Sequence, residues 1–370
     1  MDQWKVLRLN HEPLISIVIN NYNYGRFLPA AIESALHQSY PAVEVIVVDD
    51  GSTDHSRAII AGYGARVVPV LKANGGQASA FNAGFAQSHG DVIIFLDADD
   101  VLLPQTAQRV AAVFEANPDA AKVQYRMAVI DAAGALTGKI KPAAHLPLVS
   151  GDLRRQVLTF PFDMTWMATS GNAFKAAVLH QIFPMPEADF RILADYYLAH
   201  LTPLFGQVIF LDEVGAYYRV HQANHYELAT ATLNLAQIRQ TILYAQRTHR
   251  YIQQFAAQLG LEQAHVERSV SWIANRLISK KLAPSEHPIA TDRVVHLWWL
   301  GIDAARRRFD VAWPMRLLFM AWFTAMVVAP LTLTYCLAEK FFFPEKRRPI
   351  NPLLQLWKTS LWKTSHWNAP

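Results

Sequence analysis

The chain predicts an α/β fold with a mostly parallel central sheet covered by helices on both faces, and three observations carry that prediction. Leu14 to Ile19, Val43 to Val48 and Val92 to Leu96 are short, nearly continuous apolar runs rich in Val and Ile, as strands buried on both faces require. Segments with helical spacing separate them. Two of the runs end in clustered carboxylates, Asp49-Asp50-Gly51-Ser52-Thr53-Asp54 and Asp97-Ala98-Asp99-Asp100. Ligands of open parallel sheets bind outside the carboxyl ends of the strands. The acids therefore mark a site.

After the first strand comes the polar turn Asn20 to Arg26, and then Phe27 to Gln38, where Phe27, Ala31, Ala35 and Leu36 share a helical face. A strand over Val43–Val48 follows Pro41. His55 to Ala61 reads as a helix, Val67 to Val70 as a strand, Gln77 to Gln87 as a helix and Val92 to Leu96 as a strand. Pro104 to Asn117 is helical, with Val110, Val113 and Phe114 on its packed side; Val123 to Ile130 is a strand closed by the turn Asp131–Gly134. Lys139 to Ser150 reads as a loop. Thr169-Ser170-Gly171-Asn172 precedes a helix over Ala176–Ile182, Glu187 to Leu201 reads as one helix, and Val208 to Leu211 as a strand. From Leu228 to Gln258 the pattern is again helical. Three regions are expected: a catalytic domain over 1–225, a helical appendage over 226–310 and a C-terminal segment over 311–370.

At 370 residues the chain can bury a large core. Apolar residues make up 52% of it, and the net charge of +4 gathers late, at Arg306–Arg308, Arg316 and Lys346–Arg348. These cations flank apolar sequence, so anionic membrane lipid fits them better as a partner than nucleic acid, which is not expected to bind. Leu317 to Ala338 carries no formal charge and is long enough to cross a bilayer, to lie at its interface or to form a buried helix kinked at Pro330. The N-terminus lacks a signal-peptide core, and the single cysteine, Cys336, allows no internal disulfide. The expectation is a cytoplasmic catalytic domain held at the inner face of the plasma membrane by its C-terminal region.

Asp97 and Asp99, one small residue apart on a turn leaving a buried strand, suit Mg2+ or Mn2+, with water and the substrate's phosphates completing the coordination; the plain reading is a solvated acidic turn after a core strand. Asp50 can accept a hydrogen bond from a nucleobase and Tyr22 can pack on its ring; alternatively Asp50 caps the following helix and Tyr22 closes the core. Asn74-Gly75-Gly76-Gln77 is a turn before a helix N-terminus whose amides can take phosphate or position a loop beneath the nucleotide. Asp195, an acid on a largely apolar helix, is the candidate general base, with Asp189 and Glu187 as alternatives and an exposed surface charge as the plain reading. Gly171 admits a sugar close to the backbone or simply makes a tight turn. Arg219 and His221, alternate on an extended segment, either assist a departing diphosphate or acceptor or join the appendage to the sheet. The chain has no phosphate-binding loop of the G-x-x-x-x-G-K-[ST] type, no G-x-G-x-x-G turn, no zinc-ligand spacing among its 14 histidines and one cysteine, and no G-x-S-x-G.

Taken together, Ser16–Asn23, Val47–Asp54, Asn74-Gly75-Gly76 with Asn82-Ala83-Gly84, and Gly90–Asp100 resemble, in order and spacing, the family 2 glycosyltransferases with the A-type nucleotide-sugar fold, especially bacterial enzymes of surface and extracellular glycans. The resemblance covers about residues 12–225. It implies a single Rossmann-like nucleotide-sugar domain followed by a helical C-terminal region. Tyr22 and Asp50 would then hold the base, Asn74 and Gly75 would lie along the donor, Asp97 and Asp99 would form the aspartate-any-aspartate motif with Asp99 the more direct metal ligand, and Asp195 would be the base. Ala194 stands where the family usually has an acid. Tyr218-Arg219-Val220-His221 resembles the late Tyr-Arg-x-His segment, and the Gln-x-x-Arg-Trp motif of processive synthases is absent, which implies single additions. The implied reaction is inverting transfer from a nucleoside-diphosphate sugar, a UDP-sugar in this reading, to a glycan or lipid-linked hydroxyl. A metal-dependent nucleotidyltransferase and an inactive carbohydrate-binding scaffold are the rival readings.

Overall fold

The structure, a computed structural model, describes residues 12–143, 148–221, 233–261, 265 and 268–342. The chain divides into two compact units, one of residues 1–158, 164–224 and 247–264, the other of residues 159–163, 225–246 and 265–370.

The first unit is built on a nine-stranded sheet. Its parallel half runs β3 (Val68–Lys72), β2 (Val43–Asp50), β1 (Ile15–Asn21), β4 (Val92–Asp97), with helices α1 (Leu28–Leu36), α2 (Ser56–Gly62) and α3 (Gln77–Gln87) between the strands. Ile15, Ile17 and Ile19 point into one core layer with Leu28, Ala31 and Ile32 of α1. On the other face Gly84 of α3 lies so close to Val18 and Val48 that a Cβ there would collide with both, and Phe81 stacks on Phe95 at 4.3 Å. Apolar side chains thus leave both faces, which is why the strands read as unbroken hydrophobic runs.

Beyond β4 the sheet turns mixed: β8 (Asn172–Lys175) pairs antiparallel with β4, β6 (Ala120–Ile130) antiparallel with β8, β9 (Gln207–Arg219) parallel with β6, and β5 (Val101–Leu102) antiparallel with β9. Helix α4 (Thr106–Ala116) follows β5, α5 (Arg154–Thr159) leads away from the sheet, and α6 (Ala176–Ile182) and α7 (Ala194–Leu201) precede β9. Register is decisive for the site. Pairing Asn20 with Asp97 and Asn21 with Asp49 brings the carboxyl ends of β1, β2 and β4 to one level.

Three expectations change. The helix expected over Glu187–Leu201 forms only from Ala194, because Leu193 adopts the left-handed conformation at φ +61° and the Phe190 and Arg191 carbonyls accept the first amides of α3 instead. The first residues of the loop expected over Lys139–Ser150 belong instead to strand β7 (Leu136–Lys141), hydrogen-bonded to β6. The third concerns the C-terminal region.

In the second unit α9 (Val270–Leu282), α10 (Val294–Arg307), α11 (Trp313–Val328) and α12 (Leu331–Phe342) pack together, and Trp272 Nε1 of α9 donates to the Ile242 carbonyl in the first part of α8 (Leu235–Gln258) at 3.4 Å. Gly301 of α10 abuts the Phe323 ring of α11 with no room for a Cβ. The apolar stretch Leu317–Ala338 is two helices, because Ala329 before Pro330 is extended at ψ 141°. Lys281 Nζ donates to the carbonyls of Met326 (2.6 Å), Val327 (3.2 Å) and Ala329 (2.8 Å) that the break exposes. The chain then folds back, with the Trp322 ring tilted against Phe341 at 4.5 Å and its Nε1 donating to the Leu337 carbonyl at 3.2 Å. The 16 residues of α11 rise about 24 Å, short of the roughly 30 Å hydrocarbon layer. Among the described residues no helix is long and apolar enough to cross a membrane. This overturns the expected attachment of a cytoplasmic domain to the inner face of the plasma membrane through this region. Phe343, Lys346–Arg348 and the expected helical residues 228–232 lie outside the described residues.

Candidate active site

Asp97, Asp99 and Asp100 crowd the end of β4 and are held there by neutral and cationic donors. Asn20 Nδ2 donates to Asp97 Oδ1 at 2.8 Å, and the Asp97 amide donates to Ser170 Oγ at 3.0 Å. His221 Nε2 lies 3.0 Å from Asp99 Oδ2. The Arg219 amide donates to Asp100 Oδ1 at 2.9 Å, and its Nε donates to the Asp99 carbonyl at 2.8 Å. Arg219 is itself buried and its guanidinium lies over the Phe27 ring. Arg219 and His221 therefore share one task that the sequence left open, bracing the acidic turn from β9 and the residues just beyond it.

Burial and the charge of Asp99 push the Asp97 carboxyl up to about 7, and the same two causes raise Asp100 well above the usual carboxylate range. Asp100 Oδ2 is enclosed without a hydrogen-bond partner. Crowded acids of this kind favour a nearby cation. The donor set fits a shared site: Asp99 and His221 offer an oxygen and a nitrogen, with Asp97 beside them. Among the described residues no group of three or more His, Cys, Asp or Glu side chains is arranged to hold a metal ion.

Asp50, buried at the end of β2, is saturated by its own chain. Oδ1 accepts from Lys72 Nζ at 2.6 Å and the Gly75 amide at 2.9 Å, while Oδ2 accepts from the Gly76 amide at 2.7 Å and Asn74 Nδ2 at 3.1 Å. The carboxylate thus shapes the Asn74–Gly76 turn, whose amides the sequence had left free for phosphate. Gly76 at φ +90° passes so close to Arg191 that any side chain would strike it, and the Arg191 guanidinium reaches Asn74 Oδ1. Asp54, two residues before α2, accepts from the Ser56 amide at 2.9 Å, so it and not Asp50 holds the start of that helix, whose N-cap position is His55. Tyr22 is 47% exposed and so does not close the core. Gly171 lies inside, where a Cβ would press on Met167 and Met127.

Asp195 opens α7. Its Oδ1 is enclosed and has no hydrogen-bond partner, and burial raises the carboxyl to about 6. The alternatives are occupied elsewhere: Asp189 accepts from Tyr251 Oη at 2.7 Å, and Glu187 from Asn82 Nδ2 at 3.1 Å. Gln77 ties the two halves of the site together, donating from Nε2 to Asp97 Oδ1 at 3.4 Å and accepting the Ala194 amide at 2.9 Å. Asp195 is near enough for its charge to act on Asp97.

Sequence reading missed Asn20, Gln77, Ser170 and Lys122. The alternation Lys122, Gln124, Arg126 in an otherwise apolar strand was a usable signal for a polar inner face, lost by starting that strand at Val123. Gln77 carries no local signal, since it acts through two elements distant in sequence.

The glycosyl transferase family 2 model matches residues 16–174, the segment that contains every strand-end acid described above. An uncharacterised glycosyltransferase of Nostoc sp. is 36% identical over 250 residues, covering 66% of this chain and 76% of the relative. Among solved structures, S. aureus TarS 1-349 superposes with a TM-score of 0.54 at 17% identity, covering 90% of this chain and 93% of that one. The same protein in complex with UDP-GlcNAc gives 0.51 at 15% identity, over 89% and 91% of the two chains. Those structural likenesses carry the fold; the Nostoc relative, at its identity and coverage, carries kinship, and the chain belongs to glycosyl transferase family 2.

Proposed function

We propose that this glycosyltransferase moves a sugar from a nucleoside-diphosphate donor to a hydroxyl of a glycan or lipid-linked acceptor in one displacement that inverts the anomeric carbon, with Asp195 as the base. The observation that carries the reading is the Gln77 bridge, one side chain bonded both to Asp97 at the donor end and to the first residue of the helix that presents Asp195. In this reading Asp195 takes the proton of the acceptor hydroxyl as its oxygen attacks C1 from the face opposite the diphosphate. The new C1–O bond forms while the C1–O–phosphate bond breaks, and the nucleoside diphosphate leaves with that electron pair. A carboxyl already raised to about 6 suits a base working near neutrality.

Asp99 and His221 would hold Mg2+ or Mn2+ together with the donor's diphosphate, and the ion would supply charge stabilisation for the leaving group. Asp97, fixed by Asn20 and Gln77, lies along the donor. Tyr22, exposed beside the end of β1, offers a ring for the base, and Asp50 with Asn74 and Gly75 forms the wall beneath it. UDP-sugars lead the donor list because the TarS complex holds UDP-GlcNAc.

The test is a panel of UDP-, GDP- and dTDP-sugars with Mg2+ or Mn2+, read by nucleoside diphosphate release and then repeated with Asp195→Asn. Loss of release with donor binding intact is expected. Normal turnover by Asp195→Asn would dispose of the assigned base, and release of pyrophosphate would point to nucleotidyl transfer.

A further inference from the structure

Lys122 is the unusual group in the first unit. It sits on β6 with no exposed surface, and its ammonium has no hydrogen-bond partner. It rests against aromatic faces, with Nζ 4.6 Å from the Trp166 ring centroid and 5.8 Å from that of Phe174. A buried cation so poorly satisfied is costly unless an opposite charge lies near.

The opposite charge is Asp195, whose enclosed Oδ1 is likewise unpartnered. The two groups act on each other across the interior without forming a direct ion pair: Asp195 favours the protonated amine of Lys122, and Lys122 favours the ionised carboxyl of Asp195. Burial otherwise drives both toward neutrality, with Lys122 brought down to about 7. The other ionisable groups facing this pair are Asp97 at the end of β4, which feels the Asp195 charge, and His200 on α7, which lies edge-on to Trp166 at 5.9 Å. Neither supplies a fixed positive charge.

We propose that Lys122 is a positioning residue for the transfer reaction, its enclosed ammonium serving as the counter-charge to Asp195 while leaving Oδ1 of that carboxylate open to an acceptor proton. A direct ion pair at Oδ1 would occupy that position; the ammonium instead rests against the Trp166 and Phe174 rings. This rests on the assignment of Asp195 as base.

The experiment is the pH dependence of kcat and donor KM for the full chain, the Lys122→Met and Lys122→Gln variants and Asp195→Asn, using whichever panel sugar yields nucleoside diphosphate. Both Lys122 variants are expected to move the acidic limb of kcat upward by roughly one pH unit, recover at high pH and leave donor KM unchanged. An acidic limb coincident with that of the parent overturns the role of Lys122 while Asp195→Asn, if inactive, keeps the base. Turnover by Asp195→Asn removes both. Should neither Lys122 variant fold alone, Lys122→Met combined with Asp195→Asn decides: restored folding supports the charge partnership, and continued failure assigns Lys122 to packing and overturns the proposal.

Discussion

His221 Nε2 lies 3.0 Å from Asp99 Oδ2, and Phe27 stacks on the imidazole at 4.8 Å. The contact joins the acidic turn after β4 to the chain leaving β9, 122 residues later in sequence. A carboxylate held this way keeps one orientation, and the imidazole brings a second donor atom to the same point.

Replacing His221 with Ala is expected to weaken Mn2+-dependent donor binding by at least roughly 10- to 100-fold, the cost of losing even an outer-shell partner, since the ion loses one of the two side chains proposed to hold it. Calorimetric titration of a UDP-sugar with and without Mn2+ measures it. Equal affinities in the variant and the parent would detach His221 from the donor site.

The Asp50 carboxylate organises the Asn74–Gly76 turn through two amides, one side-chain amide and Lys72. Asp50→Ala is expected to cost roughly 3 kcal/mol of stability, since it strands the Lys72 charge and two half-buried amides. Urea unfolding reads the loss. A second consequence is weaker donor binding, because the turn loses its shape.

Asp195 gives a pH signature with a definite sign. Burial raises its carboxyl to about 6 in the folded state, above the ordinary carboxylate range, so the folded chain binds the proton more tightly and this group's contribution to stability falls as pH rises through that interval. Asp195→Asn is therefore expected to raise Tm at pH about 7.5 and to lose that advantage at pH about 4. Thermal melts across pH check it; activity in the parent should fall on the acid side as the same carboxyl takes up its proton.

Lys281 caps three carbonyls at the end of α11. Lys281→Met is expected to destabilise the second unit by about 1–2 kcal/mol, through acceptors left unsatisfied. Urea unfolding followed by tryptophan fluorescence, sensitive to Trp322 near the break, would register it; an unchanged midpoint would show that water replaces the ammonium.

Much of the nucleotide half was legible because its signals are local. Val and Ile runs buried on both faces, Gly75-Gly76 before a helix and acids just past strand ends are each set by neighbours within a few residues, and helices α3 and α6 form over the residues their spacing implies. Asp50 shows the limit. Its carboxylate was visible as a strand-end acid, yet the four donors that saturate it come from residues 72–76 across a strand pairing. The apolar run Leu317–Ala338 shows the same limit in reverse, since composition alone gives length and hydropathy but not the extended Ala329 or the lysine that caps the broken end.

By itself the sequence determined which segments become buried strands, where the carboxylates leave them and that the chain carries the chemistry of a nucleotide-sugar transferase. Tertiary structure alone decided that Gln77 joins Asp97 to the helix of Asp195, that Arg219 and His221 brace Asp99 and Asp100, and that Lys122 and Asp195 are both buried within reach of each other's charge. The reason is physical: strand and helix periodicity arises from backbone geometry between near neighbours, whereas burial, and with it the strength of every charge interaction, depends on which distant segments exclude water together.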